Sequence, residues 1–201
     1  MLPTITNLPP NLLPTDGEAF LYPGFYAAAE AGRYFQELLA EISWRQEQVR
    51  MFGKWVEQPR RIAWHGDPGK AYTYSGLRLE PAPWTPALAY MRERLNACAG
   101  VHFNSVLLNL YRDGRDSMGW HSDDEAELGP HPVIASLSFG GVRRFRFRHR
   151  RDKSLSPIGL DLPPGSLLLM RGATQHHWQH CLPKTARQVA PRINLTFRVI
   201  G

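Results

Sequence analysis

At 201 residues the chain is long enough for one domain with a substantial core, and no shift in composition argues for a second. An apolar fraction of 43% with 21% charged residues excludes a disordered chain, and no apolar run reaches the roughly 18 residues that a spanning helix needs, so no membrane association is expected. The net charge of +6, carried by 20 Arg and four Lys, suits an acidic partner such as nucleic acid, because the planar Arg fork grips phosphate and carboxylate.

Cys98 and Cys181 are far apart and lack a CxxC partner, which argues against a disulfide framework or a zinc ribbon. The N-terminus has no basic n-region followed by an apolar h-region. A reduced, cytoplasmic protein without a signal peptide is the expectation.

Residues 1–19 contain four prolines and no period, so an extended arm is expected. Ala19 to Ile42 contains a helical pattern, with Tyr34, Phe35, Leu38, Leu39 and Ile42 at helical spacings on one face. Trp44 to Trp64 reads as a hairpin with Phe52-Gly53 at its tip. Two readings of that tip stand: Phe52 packs inward, or it is an apolar wedge flanked by Arg50 and Lys54, of the kind that enters a base stack. Pro59-Arg60-Arg61 then leads into Trp64-His65 and, past a Gly/Pro turn, into Tyr72-Thr73-Tyr74. The two tyrosines share a strand face, fit for sheet packing or for stacking bases. Thr85 reads as the N-cap of a helix to Ala99, with Pro86 at N1, Gly100 after its end, and Leu88, Met91 and Leu95 as its buried stripe.

From Phe103 the chain turns β-rich. Ser105 to Tyr111 is a strand that places Asn109 and Tyr111 on one face, and Val133 to Phe139 is another. Arg144-Phe145-Arg146-Phe147-Arg148 alternates, with aromatics in and arginines out. Leu160 to Leu162, a Pro-Pro-Gly turn and Ser166 to Met170 give strand, turn and strand, and Arg192 to Arg198 is the last strand. Helices followed by many short strands predict an α+β fold on an antiparallel, double-sheet jelly roll.

The chemistry centres on His121-Ser122-Asp123. A His and an Asp two apart on extended backbone point the same way, and together they make two thirds of a 2-His-1-carboxylate facial triad, the set that suits non-haem Fe(II). A third ligand is available downstream in His180, with His176 and His177 as competitors that could instead form a zinc cluster. The last strand carries Arg192 and Arg198 six apart, hence on one face, either of which can grip the far carboxylate of a bidentate 2-oxo acid. Asn109 and Tyr111 can add hydrogen bonds.

The stretches FNSVLLNLYRDGRDSMGWHSDDE, PVIASLSFG, GSLLLMRGATQHHWQH and APRINLTFR resemble the AlkB family of Fe(II)/2-oxoglutarate-dependent nucleic-acid dealkylases, and the resemblance runs over roughly residues 44–200. It implies a double-stranded β-helix core over 103–200 and a hairpin and nucleotide-recognition lid over 44–80. His121, Asp123 and His180 would bind Fe(II), and Asn109, Tyr111, Arg192, Asn194 and Arg198 would hold 2-oxoglutarate, with Arg192 favoured on the distal carboxylate. O2 is the co-oxidant. RMFGKW resembles the wedge hairpin of the branch acting on duplex DNA, pointing to Phe52. Asp124 and Glu125 would face the damaged base.

The activity implied is oxidative demethylation of N1-methyladenine or N3-methylcytosine in DNA, releasing formaldehyde, with RNA or another substrate, or an inactive nucleic-acid-binding module, as alternatives. Trp64, His65, Tyr72 and Tyr74 are candidates for stacking the flipped base, and Arg60 is a further candidate contact. Arg146 and Arg148, with Arg143, Arg144, Arg150 and Arg151, are expected to face one DNA strand. No obligate protein partner is evident. His121→Ala and Asp123→Ala are expected to abolish turnover while leaving the fold largely intact.

Overall fold

The computed structural model describes residues 8–51, 54–70, 72–74 and 77–201. The strands are β1 (Glu18–Tyr22), β2 (Gln48–Met51), β3 (Lys54–Glu57), β4 (Arg61–Gly66), β5 (Tyr72–Tyr74), β6 (Leu77–Leu79), β7 (Ser105–Tyr111), β8 (Met118–His121), β9 (Ile134–Gly140), β10 (Arg143–His149), β11 (Ile158–Leu162), β12 (Ser166–Arg171), β13 (Trp178–Leu182) and β14 (Arg192–Arg198), and the helices are α1 (Ala28–Glu41), α2 (Pro86–Ala99) and the single turn α3 (Thr174–His177). A six-stranded sheet runs β1-β12-β9-β14-β7-β4 and a four-stranded sheet runs β11-β10-β13-β8, with β2-β3 and β5-β6 as separate hairpins. Both large sheets pair antiparallel throughout, which is the expected jelly roll.

Alternation along the strands sorts side chains between two layers. Ala63, Leu108, Leu137, Leu195 and Phe197 turn outward to meet Tyr34 and Leu38 of α1 and Leu88, Met91 and Leu95 of α2 in one core. A second core lies between the sheets, where Tyr111, Ile134, Leu168 and Met170 meet Phe145, Phe147, Trp178 and Leu182. Helix α2 forms as its sequence suggests. The Thr85 hydroxyl accepts from the Leu88 N–H at 3.3 Å, Pro86 opens the helix, and Gly100 closes it in the left-handed region at φ 68°. At the β11–β12 turn Gly165 also has positive φ, and a Cβ there would run into the Tyr26 carbonyl.

Three boundaries differ from the sequence reading. Residues 18–22 are not helical. The contiguous Ala19-Phe20-Leu21-Tyr22 run pairs with β12 at the sheet edge, Pro23-Gly24 ends it, and the helical spacings begin only at Ala28. Nor do residues 8–17 extend as a free arm: the Leu12 N–H donates to the Ala19 carbonyl at 2.9 Å, the Asn11 carboxamide accepts from Leu13 and Ala19, and Leu13 is buried. Residues 61–66 belong to the main sheet beside β7 rather than to a separate lid. The β2–β3 hairpin forms with Met51 opposite Lys54, and its base is tied to β4 by reciprocal backbone bonds between Arg45 and Ile62. Its tip, Phe52-Gly53, lies outside the described residues.

Candidate metal centre and cosubstrate pocket

Strands β8 and β13 run side by side in the smaller sheet, and their register sets His121 directly opposite His180. The two rings lie 4.2 Å apart between centroids. Asp123, two residues past His121 and beyond the end of β8, turns back toward both. Its Oδ1 is 3.8 Å from His121 Nε2 and its Oδ2 is 4.0 Å from His180 Nε2. Two metal–ligand bonds of about 2.1 Å span at most about 4.2 Å, so both separations suit ligands of one ion.

Protonation states agree. His121 Nδ1 lies 2.8 Å from the Gly119 carbonyl, which can only accept. In its neutral form that ring carries its proton on Nδ1, which leaves the Nε2 lone pair facing Asp123. Burial, then the neighbouring His121, lower the His180 pKa to about 3 against the pull of Asp123, so His180 is neutral at physiological pH, the form that ligates. Burial alone would push the Asp123 carboxyl up, but Arg198, His180 and His121 outweigh it and hold it at about 2. Arg198 Nη2 donates to Asp123 Oδ1 at 2.8 Å, and both side chains are only 3% exposed. The donor set fits Fe(II).

The competing histidines are elsewhere. His176 is exposed and bonded to the Pro130 carbonyl. His177 stacks against His149, which faces Asp16. That second His/Asp group is close enough to be considered for a metal, but His149 Nδ1 accepts the Asp152 N–H at 2.8 Å. Neutral His149 must therefore carry its proton on Nε2, the atom turned toward Asp16, and has no lone pair to offer there.

One pocket joins the triad to every residue expected to hold the cosubstrate: His121, Asp123 and His180 line it together with Asn109, Tyr111, Arg192, Asn194 and Arg198. Strand period explains this. Arg192 is paired with Tyr111 and Asn194 with Asn109 across β14 and β7, and all four share the inward face with Arg198. Arg192 is 2% exposed, lies 5.4 Å over the Tyr111 ring and donates to the Ser138 hydroxyl at 2.8 Å. Among the described residues no carboxylate pairs with it and its Nε finds no acceptor, while burial pulls its pKa down to about 10. A buried cation of this kind fits a dicarboxylate that enters the pocket. Asn194 is held by Ser136, the Leu137 carbonyl and Thr196.

The expected nucleic-acid contacts are divided. Trp64 lies on the site side of the sheet, buried with Ile62, Leu107, Leu128 and Ile200. His65, one residue on, points to the opposite, helix-covered face, where its Nδ1 meets the Pro83 carbonyl at 2.7 Å and burial lowers its pKa. It is not placed to stack a base in the pocket, since consecutive strand residues face opposite ways. Arg60 is also no surface contact. It is 4% exposed and donates from Nε to Asn109 Oδ1 at 2.8 Å, bracing a pocket residue. Tyr72 and Tyr74 sit in β5, opposite β6, and Phe52 lies outside the described residues.

Asp124 is clasped by Arg150 at 2.8 Å, whereas Glu125 keeps a buried Oε2 that has no partner among the described residues. Arg144 and Arg146 are exposed as expected. Arg148 lies 4.4 Å over the Trp120 ring and is fixed by Gln179. Arg143 departs from the outward set: it is 3% exposed and caps the carbonyls of Asp113, Asp116 and Pro183, because it occupies the inward phase of β10.

Sequence reasoning missed Trp120, Gln175, Ser136 and Ser138. All four lie within the stretches that carry the family resemblance, but no local spacing singles them out; Trp120 alone had a further signal, as an aromatic beside His121. Among the described residues no helix is long and apolar enough to cross a membrane.

Residues 18–198 match the 2OG-Fe(II) oxygenase superfamily. The chain is 45% identical over 188 residues to DNA oxidative demethylase ALKBH2 of Homo sapiens, covering 89% of this chain and 72% of that protein. It is 42% identical over 188 residues to alpha-ketoglutarate-dependent dioxygenase alkB homolog 3 of Homo sapiens, covering 90% of this chain and 65% of that protein. The solved structure of OsALKBH1 shares the fold, with a TM-score of 0.60 over 90% of this chain and 96% of that one at 14% identity. With a complete His-Asp-His triad beside a buried arginine on the jelly-roll scaffold of these relatives, the chain belongs to the AlkB family of 2OG-Fe(II) oxygenases, which use Fe(II), 2-oxoglutarate and O2.

Proposed function

We propose that this chain is a DNA oxidative demethylase that restores N1-methyladenine and N3-methylcytosine in alkylated DNA and releases formaldehyde. The observation that carries the reading is the pocket that His121, Asp123 and His180 line together with the buried Arg192, which pairs with no carboxylate among the described residues. The relatives named for DNA demethylation supply the substrate class. When bound, Fe(II) with 2-oxoglutarate and O2 supplies the oxidising power that hydroxylates the N-methyl group, after which the adduct loses formaldehyde.

The chain's own residues position the partners. Arg192 grips the distal carboxylate of the cosubstrate, with Asn109, Tyr111 and Asn194 completing the hydrogen bonds. Arg198 orients Asp123 and offsets its charge in the interior. Phe145, stacked 5.4 Å from His180, keeps water from one side of that ligand. Glu125, rather than the Arg150-bound Asp124, is left to meet a cationic methylated base. Trp64 supports the wall of the base pocket. On the outer face Arg146 and Arg148 contact the phosphate backbone. Trp55, 65% exposed, and Val56, 44% exposed on the opposite face of β3, give the β2–β3 hairpin apolar side chains suited to a duplex.

The test is formaldehyde and succinate release from oligonucleotides carrying one N1-methyladenine, as duplex DNA, single-stranded DNA and RNA, with wild type beside His121→Ala and Phe52→Ala. Turnover on DNA, none in His121→Ala and a duplex-specific loss in Phe52→Ala are expected. Release from RNA alone, or from no nucleic acid while succinate still forms, would overturn the substrate.

A further inference from the structure

The geometry points to Gln175 as the residue that positions the carboxylate ligand of the metal centre. The inference rests on the assignment of His121, Asp123 and His180 to that centre. Strand β8 ends at His121, so Asp123 receives no ladder bond that would fix its backbone, and its buried N–H must find an acceptor elsewhere. That acceptor is Gln175 Oε1, at 2.9 Å. Gln175 is 1% exposed and Asp123 2% exposed, so the bond forms away from water, where losing it leaves a buried donor unmet.

The orientation of the carboxamide follows from its surroundings. A backbone N–H can only donate, so the oxygen must face Asp123. The nitrogen is then left against the Met170 sulfur at 3.7 Å, a weak acceptor that adds little of its own. The function of the buried amide therefore lies in its oxygen.

Location makes the bond matter. Gln175 belongs to α3, the turn that leads straight into β13 and His180. One side chain thus ties the loop carrying the second ligand to the segment that delivers the third. The neighbours reinforce the same clasp. Ser122 Oγ donates to the Trp178 carbonyl at 3.0 Å, and Arg150 bonds both Asp124 and, at 3.4 Å, the Gln175 carbonyl. Thr174, the preceding residue, anchors the turn to β1 through Glu18 without touching a ligand. It is a natural control.

The experiment titrates Mn(II), a redox-silent stand-in for Fe(II), into the full chain after chelator treatment, by calorimetry, with apo melting temperatures recorded in parallel. Gln175→Met keeps the volume and removes the acceptor; it is expected to weaken Mn(II) binding by about 10- to 100-fold, the range for outer-shell partners. Gln175→Glu restores an oxygen toward Asp123 and is expected to bind within about threefold of wild type. Thr174→Val loosens the turn and lowers the melting temperature but is expected to leave affinity unchanged. If Gln175→Met gives no cooperative melt, Gln175→Asn, which retracts the oxygen by one methylene, takes its place with the same expectation. Affinity unchanged without the acceptor, or lost equally in Thr174→Val, overturns the role of Gln175. Failure of wild type to bind Mn(II) would instead overturn the metal centre itself.

Discussion

Asp123→Ala should unfold the metal-free protein far more readily than the removal of a surface ligand would suggest. The carboxylate lies 2.8 Å from Arg198, with both side chains 3% exposed. At an effective dielectric near 20, two unit charges about 4 Å apart attract by about 4 kcal/mol. The depression of the Asp123 pKa from 3.8 to about 2 is a net figure after the burial cost, and corresponds to about 2–3 kcal/mol at neutral pH. Removing one partner also leaves the other charge buried, and such truncations cost about 3–5 kcal/mol.

The assay is urea unfolding in excess chelator at pH 7, followed by tryptophan fluorescence. Asp123→Ala is expected to lose about 3–5 kcal/mol. His121→Ala, whose ring is 27% exposed, should lose about 1 kcal/mol or less. The double variant Asp123→Leu/Arg198→Met removes both charges and should recover most of the loss. Asp123→Ala within about 1 kcal/mol of wild type, or a double variant that loses the sum of the single effects, would refute the argument. The sequence-based expectation was that either ligand could be removed with the fold largely intact; the burial of the Asp123–Arg198 pair predicts a larger cost for Asp123→Ala than for His121→Ala, and the unfolding assay decides between the two.

Arg192→Met should weaken 2-oxoglutarate binding by at least about tenfold, the scale of a lost charged hydrogen bond, without lowering apo stability, because burial already disfavours that charge; cosubstrate titration and apo unfolding check the two halves separately. His180 gains its proton only near pH 3 in the folded state against 6.5 in the unfolded chain, so the unfolded state binds more protons between those values. Apo stability should therefore fall by up to about 1.4 kcal/mol per unit as pH drops below 6.5, and less steeply in His180→Asn; equal slopes from pH 7.5 to 5 would count against it. Thr85→Ala should cost about 1 kcal/mol through the lost cap of α2, read from the urea midpoint, and an unchanged midpoint would show that the bond contributes nothing.

Local chemistry alone determined a good part of this protein. His121 and Asp123 two apart, the shared face of Asn109 and Tyr111, the six-residue spacing of Arg192 and Arg198 and the Thr85-Pro86 cap all follow from backbone periods that act within one element. The same period, applied to Trp64-His65, separates the two residues onto opposite faces, and to Arg143 it assigns an inward position. Those two outcomes were legible in principle. Only tertiary structure decided that β13 pairs with β8 in the register that selects His180 over His176 and His177. It alone set Arg198 against Asp123, Arg60 against Asn109 and Gln175 beneath the ligand loop. These contacts join residues far apart in the chain. Strand pairing and burial bring them together, and no local periodicity encodes which distant polar groups must satisfy one another once water is excluded.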